Sequence, residues 1–429
     1  MNTTVSSFLM KHNFVNHIDV LALAQGILDD MRRGLKKEPS DQDMIRTFFN
    51  PPKDTAKNES VIVIDAGGTN FRSCLVTFDA AGVPAISEME KTKMPGVERE
   101  LSRKDFFEQI AQNLEHLKNK ADRIGFCFSY PMEIQTDGDG ILLGFSKEVK
   151  APEVIGSKVG ECLKAALAQH GWNTIKRVTM CNDTTSALLA GAATAGDIHR
   201  YSSYIGYILG TGMNAAYLQP DCDCCGIKKQ IIVCESGKYK NINRSDFDIE
   251  FDKTTVKPGS FYMEKQCSGA YLGPVSTIII QTAAKEGLFS AKMNEELLNL
   301  KPLTLIEMDK FLHGPFNKDC TLGKLACEVA TEEDLDMLYQ LLDAVVERSA
   351  RCSAAILTAC AIQTGAGKNA AHPVCILCNG TTFYKTWMVR ERTAAYLDEI
   401  LTNKLGIHWE IVSAENDITL GTAISGLIE

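Results

Sequence analysis

The chain has 429 residues, of which 45% are apolar and 23% are charged. This balance is typical of a folded globular protein, and it excludes a disordered chain, a collagen-like chain and a small disulfide scaffold. The formal net charge is −9, and an acidic chain without a basic block is poorly suited to nucleic acids or anionic membranes. We therefore expect about two or three domains, with no nucleic-acid or membrane partner.

The first 35 residues predict an amphipathic helix. Apolar side chains recur at helical spacing, and the expected buried stripe between residues 8 and 35 consists of Phe8, Phe14, Val20, Leu21, Leu23, Ile27 and Met31. No segment of the sequence reaches the ~20 apolar residues that span a bilayer, and no basic region precedes an apolar core. The expected compartment is the cytoplasm.

Strand-like and helix-like segments alternate along the rest of the chain. After a polar connector at 48–60, predicted strands occupy 61–68, 71–78, 123–131, 141–145 and 176–181. Helical patterns lie at 103–120 and 153–170, and a helix of small apolar residues begins at 182. These segments predict mixed α/β structure.

The second half of the chain repeats one feature of the first. Residues 201–218 read as strand, glycine turn and strand, like the earlier hairpin around AGGTN. The region 261–360 is mostly helical, and predicted strands at 372–380 and 408–414 flank a helix at 386–404. Two glycine hairpins suggest a duplicated unit. The expected architecture is two α/β domains with a cleft between them.

The 15 cysteines are scattered, and most are expected to be reduced core residues. The exception is the cluster Cys222, Cys224 and Cys225. Thiolate metal sites use such clusters, but C-x-C-C is not a familiar zinc spacing. A metal or redox site and a loop of free thiols both remain open.

The two glycine turns have a plausible chemical use. Glycine permits positive φ and removes the Cβ, so consecutive N–H groups in such a turn can converge on an anion. Asp65 stands just before the first turn, where its carboxylate suits a divalent cation that bridges phosphates. From these residues alone, phosphate binding and an ordinary hairpin turn are both possible.

Seven segments then appear in one order: VIVIDAGGTNFR, GFCFSYP, GILLGFSK, CNDTTSALLAG, ILGTGMNAAY, FYMEKQCSGAYLG and LCNGTTFYK. With them the sequence resembles the hexokinase family of the actin-like ATPase superfamily, in its eukaryotic-type branch. The resemblance implies an α/β fold with two ribonuclease-H-like domains around a hinged cleft. It implies a helical segment at 1–57 packing on the large domain, a small domain at 58–182 to which 415–429 return, and a large domain at 183–414.

The resemblance also implies a role for each matching residue. The phosphate and nucleotide positions are Asp65, Gly67, Gly68, Thr69, Asn70, Arg72, Gly210, Thr211, Gly212, Ser353, Gly380, Thr381 and Gly421. The positions that bind sugar hydroxyls are Ser129, Ser146, Lys147, Asn182, Asp183, Asn214, Glu235 and Glu264. Asp183 matches the catalytic base, Lys147 and Arg72 stabilise charge on the transferring group, and Asp65 reaches Mg²⁺ directly or through water.

Asp183 has a second interpretation that needs no ligand. Asn182, Asp183 and Thr184 lie where a strand meets a helix, and all three residue types are good helix N-caps. Capping is the simpler reading from the local sequence, whereas the resemblance favours catalysis.

The resemblance implies ATP-dependent phosphorylation of the 6-hydroxyl of a hexose, most simply glucose, by a monomer or homodimer. The alternatives are a non-catalytic sugar-sensing regulator and a kinase for another sugar, such as an amino-sugar. Departures from the family pattern at Phe145, at Glu148 and at Ser236 leave the sugar preference open.

Overall fold

The structure is a computed structural model, and it describes residues 3–145, 149–194 and 200–428. Its strands are β1 Ile45–Arg46, β2 Glu59–Gly67, β3 Asn70–Phe78, β4 Pro84–Lys93, β5 Arg123–Phe128, β6 Met132–Ile134, β7 Gly140–Leu142, β8 Arg177–Cys181, β9 Ser203–Leu209, β10 Met213–Gln219, β11 Gln230–Val233, β12 Val374–Asn379 and β13 Trp409–Val412. They form two large sheets and the small hairpin β6–β7.

The helices lie around these sheets. They are α1 Thr3–Lys11, α2 Val20–Leu35, α3 Arg103–Asn113, α4 Val159–Gln169, α5 Asp183–Thr194, α6 Asp246–Thr254, α7 Tyr262–Cys267, α8 Gly269–Lys285, α9 Ala291–Leu298, α10 Leu305–His313, α11 Thr321–Glu328, α12 Glu332–Thr364, α13 Thr381–Lys385, α14 Val389–Leu397 and α15 Asp417–Leu427. Among the described residues, no helix has both the length and the apolar character needed to cross a membrane.

The two large sheets share one pairing pattern. In the first, with order β4-β3-β2-β5-β8, β2 pairs antiparallel with β3 and parallel with β5, which pairs parallel with β8. In the second, with order β1-β11-β10-β9-β12-β13, β9 pairs antiparallel with β10 and parallel with β12, which pairs parallel with β13. The duplicated unit that the two glycine hairpins predict is therefore confirmed.

Helices α5 and α15 pack against each other and connect the two sheets. Helix α15 contacts β2 and β5, and α5 contacts β9 and β12. The two helices come unusually close because a Cβ on Gly421 would lie 1.7 Å from the carbonyl oxygen of Ser186. The Ser186 and Thr422 hydroxyls are 2.9 Å apart across this contact. A glycine is therefore required at position 421 by packing.

The predicted N-terminal helix is present as two helices, α1 and α2. The break lies around Asn13, whose φ is +56°. Helix α2 begins after its N-cap Asp19, whose side chain accepts the Ala22 N–H at 3.0 Å. The predicted apolar stripe faces the core as expected, with Leu21 only partly buried. Helix α2 packs along the long helix α12, so this segment is part of the region around the second sheet.

Three other predicted helices have shorter or divided forms. The 103–120 pattern gives α3, which ends at Asn113 and is followed by a 3₁₀ turn at Glu115–Leu117. The 153–170 pattern gives α4 only from Val159, because Gly156 adopts a φ of +82° and separates it from a 3₁₀ turn. The 386–404 pattern gives α14 followed by a π-helical turn at Asp398–Lys404.

Candidate active site

A cavity of about 370 Å³ lies between the two sheets. We call it the polar cavity, because charged and amide side chains from both sides of the molecule line it. Ser129 and Asp183 reach it from the ends of β5 and β8, where parallel strands of an α/β sheet commonly bind ligands. The polar lining residues include Ser129, Asn182, Asp183, Asn214, Glu235 and Glu264, together with Thr47, Tyr130, Thr185 and Thr211.

Two hydrogen-bonded glutamates form one wall of the polar cavity. Asn214 donates from its amide to Glu235 at 2.7 Å. Glu264 accepts the Met213 N–H at 3.0 Å and the Tyr271 hydroxyl at 3.2 Å. Burial raises the pKa of both carboxyl groups, although these partners oppose the rise. Carboxylates held in this way are strong acceptors for ligand hydroxyls.

Glycines bring Glu264 close to the second hairpin. A Cβ on Gly212 would lie 2.9 Å from a carboxylate oxygen of Glu264, and a Cβ on Gly237 would lie 3.0 Å from its Cβ. Glu235 itself has a φ of +57°, a left-handed backbone that is uncommon for a non-glycine residue. The backbone around this wall is therefore shaped to direct two carboxylates into one space.

Asp183 is the first residue of α5, but its neighbour provides the cap. The Asn182 side chain accepts the Thr185 N–H at 2.9 Å, which is the usual N-cap hydrogen bond. The Asp183 carboxylate accepts the adjacent Thr184 N–H at 2.8 Å and lines the polar cavity. Capping and a role for Asp183 in the cavity are thus carried by two different residues.

Burial raises the pKa of Asp183 to about 6, with the negative charge of Asp65 adding to the rise and the Thr184 N–H opposing it. A general base works best when its pKa is near the operating pH, because it is then mostly ionised and still basic enough to accept a proton. The environment of Asp183 therefore suits general-base chemistry near neutral pH.

A second cavity, of about 300 Å³, adjoins the polar cavity. We call it the hairpin cavity, because Asp65, Gly67, Gly68, Asn70 and Arg72 of the β2–β3 hairpin line it. Ser129, Asp183 and Ile208 line both cavities. A group bound in one cavity and a group bound in the other would meet beside Asp183.

The turn of the first hairpin is open toward the hairpin cavity. Gly68 has a φ of +55° and no atom within 4 Å of the position that a Cβ would occupy. The Tyr130 hydroxyl donates to the Gly68 carbonyl at 3.1 Å, and the Met94 N–H donates to the Thr69 carbonyl at 3.0 Å. These hydrogen bonds fix the carbonyl side of the turn, so an anion can approach its exposed face.

The second hairpin turn lies directly against the loop after β12. The Gly210 carbonyl accepts the Gly269 N–H and the Thr382 hydroxyl, each at 2.8 Å. Gly380 has a φ of +117°, and a Cβ on it would lie 2.1 Å from the Leu209 carbonyl oxygen. Gly210, Thr211 and Gly212 are thus placed beside Gly380 and the exposed Thr381, as the resemblance implies for one nucleotide site.

Two expected nucleotide residues lie elsewhere. Ser353 is fully buried in α12, where it accepts the Tyr207 hydroxyl at 2.9 Å and donates to the Ser349 carbonyl at 3.0 Å. Gly421 is buried in the α5–α15 contact. Neither offers a surface to a ligand in this structure, so neither enters the proposed site. Ser146, Lys147 and Glu148 lie outside the described residues.

Asp65 fits a role as a magnesium ligand. Arg72 donates to one oxygen of its carboxylate at 2.9 Å, and burial raises its pKa while Arg72 opposes the rise. Mg²⁺ prefers hard oxygen ligands and commonly uses one or two carboxylates beside substrate phosphates. A single half-buried carboxylate next to an open phosphate-type turn meets that requirement.

Several residues of the site were not identified from the sequence. Asn379 lines the hairpin cavity, and its amide lies 2.8 Å from both carboxylate oxygens of Asp417. The Thr185 hydroxyl is buried beside the polar cavity and has no hydrogen-bond partner among the described residues. Tyr271 orients Glu264. Asn379 and Tyr271 lie inside LCNGTTFYK and FYMEKQCSGAYLG, two of the segments that carry the family resemblance. Asp417 lies outside all seven segments, so the sequence did not indicate it.

Two departures from the family pattern have local explanations. The Phe145 ring packs against Tyr130 at 5.1 Å and Phe106 at 5.6 Å between centroids, as part of an aromatic cluster. Ser236 is buried, and its hydroxyl lies 3.3 Å from the Met213 sulfur. Both residues act behind the polar cavity rather than inside it.

Comparisons with known proteins give one family. Two family models, each described as "Hexokinase", match the chain, one at residues 204–428 and the other at residues 8–193. Hexokinase-1 of Schizosaccharomyces pombe is 26% identical over 94% of this chain and 86% of that protein. Glucokinase-1 of Kluyveromyces lactis is 27% identical over 84% of each chain.

The solved structures agree on the fold. The hexokinase from Schistosoma mansoni complexed with glucose has a TM-score of 0.77 to this chain at 21% identity, covering 99% of this chain and 98% of that one. The fold is therefore the two-domain actin-like ATPase fold, with one large sheet in each domain. With family models matching along both halves, the chain belongs to the hexokinase family of sugar kinases.

Proposed function

We propose that this hexokinase transfers the γ-phosphoryl group of ATP to the 6-hydroxyl of a hexose, most simply glucose, and releases hexose 6-phosphate and ADP. The observation that carries the proposal is the position of Asp183, which lines both the polar cavity and the hairpin cavity. An acceptor in the first cavity and a phosphoryl donor in the second would be brought together at this carboxylate.

The polar cavity is proposed to bind the sugar. Its lining supplies carboxylates at Glu235 and Glu264, amides at Asn182 and Asn214, and the Ser129 hydroxyl. A hexose carries a hydroxyl on most of its carbons, so such a lining can pair each one. A site of this kind rejects analogues that lack a paired hydroxyl, because its buried polar groups would lose their partners.

Asp183 is proposed to accept the proton of the 6-hydroxyl as that oxygen attacks the γ-phosphorus. The bond between the γ-phosphorus and the bridging oxygen of ADP breaks as the new P–O bond forms. Phosphoryl transfer of this kind depends mainly on positioning and on charge stabilisation. With a pKa raised to about 6, Asp183 is largely ionised at neutral pH and ready to take the proton.

The two glycine turns are proposed to hold ATP. Main-chain N–H groups at Gly67–Asn70 and at Thr211–Gly212 would face its phosphates, while the Gly210 N–H closes the second turn by donating to the Gly212 carbonyl at 3.0 Å. Gly380 and Thr381 would lie on the adenosine side. Arg72 and Lys147 would stabilise charge on the transferred group. Asp65 would hold Mg²⁺, directly or through water, and the bound cation would neutralise phosphate charge.

A coupled ADP-release assay tests the proposal. With Mg-ATP and a panel of glucose, mannose, fructose and glucosamine, we expect release with glucose. We expect none above background with 6-deoxyglucose, which lacks the acceptor, or with Asp183→Ala. Sugar binding without any ADP release would favour the sugar-sensing alternative, and release with glucosamine alone would favour an amino-sugar kinase.

A further inference from the structure

Three cysteine thiols meet on the surface turn between β10 and β11. The Cys222 and Cys224 sulfurs are 3.2 Å apart, and the Cys224 and Cys225 sulfurs are 3.7 Å apart. All three sulfurs lie within 4.8 Å of one another. The proposed phosphoryl transfer does not use these three thiols. We infer that Cys222, Cys224 and Cys225, the thiol cluster, bind one thiophilic metal cation.

The spacing of the sulfurs fits coordination of one ion. A metal–sulfur bond of about 2.3 Å places three thiolates in a trigonal plane ~4.0 Å apart. The observed separations of 3.2 and 3.7 Å are already close to that triangle. Reaching that triangle needs the sulfurs to shift, for these two pairs outward, by less than about 1 Å, which side-chain rotation can supply.

The backbone of the turn holds the cluster in this arrangement. Cys222 and Ile227 exchange two main-chain hydrogen bonds, of 2.8 and 3.0 Å. Between them Asp223–Cys225 forms a 3₁₀ turn that ends at Gly226 with a φ of +60°. Arg46 donates to the Cys225 carbonyl at 3.2 Å. The hydrogen-bonded turn thus directs the three side chains toward one point. Little conformational entropy remains to be lost when a cation binds.

The thiols also interact as acids. Hydrogen bonds from the Cys225 and Cys224 thiols lower the pKa of Cys222, and burial together with the neighbouring thiols raises the pKa of Cys225 to about 12. A cation bound by all three sulfurs would displace the thiol protons and release them to solvent.

The donor set indicates a soft cation. Among the described residues, the metal-capable group contains these three sulfurs and no histidine or carboxylate. Structural zinc sites usually have four protein ligands, whereas all-thiolate sites suit soft ions such as Cu(I). We therefore expect Cu(I) to bind more tightly than Zn²⁺, with water completing the zinc coordination.

The thiol cluster is separate from the cleft. Asn214 stands at the start of β10 and Glu235 follows the end of β11, whereas the cluster lies at the other end of this hairpin. Strand β10 rises ~17 Å between Asn214 and Gln219. Loss of the cluster should therefore leave hexose phosphorylation unchanged, so failure of this inference and failure of the proposed function are distinguishable.

Competition titrations test the inference. Reduced, metal-free protein is titrated anaerobically with Cu(I) against a chromophoric Cu(I) chelator, and separately with Zn²⁺ against a zinc indicator. We expect one equivalent of bound cation, release of up to about three protons and protection of three thiols from alkylation. Cys222→Ser and Cys224→Ser should each weaken binding at least tenfold.

The matched control is Cys327→Ser, because Cys327 is exposed but lies outside the cluster. It should bind one equivalent with wild-type affinity. Circular dichroism confirms that each variant is folded. Binding of less than one equivalent, equal affinity in Cys224→Ser, or a Cys222–Cys224 disulfide that resists a thiol reductant would overturn the inference.

Discussion

The Asn182 side chain accepts the Thr185 N–H at 2.9 Å and so caps the helix that Asp183 begins. The cap satisfies the helix N-terminus with an uncharged residue, and it leaves the Asp183 carboxylate at the junction of the two cavities. The first turn of the helix therefore fixes the position of Asp183, while Asn182 makes the N-cap hydrogen bond and the Asp183 carboxylate stays available to a ligand. The expected behaviour of the enzyme depends on this division of roles.

The pH dependence of kcat/KM should report the protonation of Asp183 in the free enzyme. Burial raises its pKa to about 6, and only the ionised form accepts a proton. We expect kcat/KM to be level above about pH 7 and to fall about tenfold per pH unit well below pH 6. Stopped ADP-release assays from pH 4.5 to 8 measure this, and a level profile down to pH 4.5 would contradict the assignment.

Asp183→Asn should stabilise the protein at neutral and higher pH. The folded-state pKa of about 6 exceeds the ordinary value of 3.8, so the folded state binds the proton more tightly than the unfolded state does. The free energy of unfolding then falls as pH rises from about 4 to 6, by at most ~3 kcal/mol. Asparagine carries no ionisable group at this position, so the variant does not lose this stability as pH rises.

Urea unfolding of wild type and Asp183→Asn at pH 8 and pH 4 measures the effect. The variant should be more stable than wild type at pH 8, and the difference should shrink toward pH 4. Equal stabilities at pH 8 would mean that water in the cavity fully solvates the carboxylate.

Glu235→Gln and Glu264→Gln should weaken hexose binding more than they change turnover at saturation. Each glutamine keeps the shape but loses a charged acceptor, and a hydrogen bond to a charged group contributes about 1.5–3 kcal/mol. We expect Kd for glucose to rise roughly tenfold to a hundredfold by calorimetry. Glu250→Gln, on an exposed helix position, is the matched control and should bind like wild type.

Gly380→Ala should disrupt the join between the second hairpin and the loop after β12. Its φ is +117°, and the added Cβ would lie 2.1 Å from the Leu209 carbonyl oxygen. Gly406→Ala is the control, because Gly406 has a φ of +61° and nothing within 4 Å of its Cβ position. In urea unfolding, we expect the free energy of unfolding to fall by about 1 kcal/mol in the control variant. We expect a clearly larger fall in Gly380→Ala, together with a raised KM for ATP. Equal losses would contradict this account.

Local sequence signals predicted the framework of the fold. Apolar runs flanking glycine turns predicted both hairpins, and their similarity predicted the duplicated sheet, because register and turn chemistry are local properties. Helix ends were predicted less well. Asn13 has a positive φ in a local cap, where the Phe14 N–H donates to the Leu9 carbonyl at 2.8 Å, but the apolar stripe continues past it and hid the end of α1. Gly156, which also has a positive φ, donates to the Leu142 carbonyl at 2.8 Å, a tertiary contact that no short sequence window contains.

The site could be predicted only in part, for a similar reason. Motif register identified Asp65, Asp183 and Glu264, which line the two cavities together. Register does not report which way a side chain faces, so Ser353 in the core was included. The Asn379–Asp417 pair joins residues 38 apart in sequence, and only the packing of α15 brings them together.

The central claim is that Asp183, besides contacting the 6-hydroxyl of the sugar, acts as the general base of the phosphoryl transfer step. Parallel measurements on wild type and Asp183→Asn, glucose binding by calorimetry and ADP release at saturating glucose and Mg-ATP, test it most directly. We predict a Kd for glucose within about tenfold of wild type and a kcat lower by about 10²–10⁴-fold. A variant that releases ADP at a rate close to wild type would contradict the account.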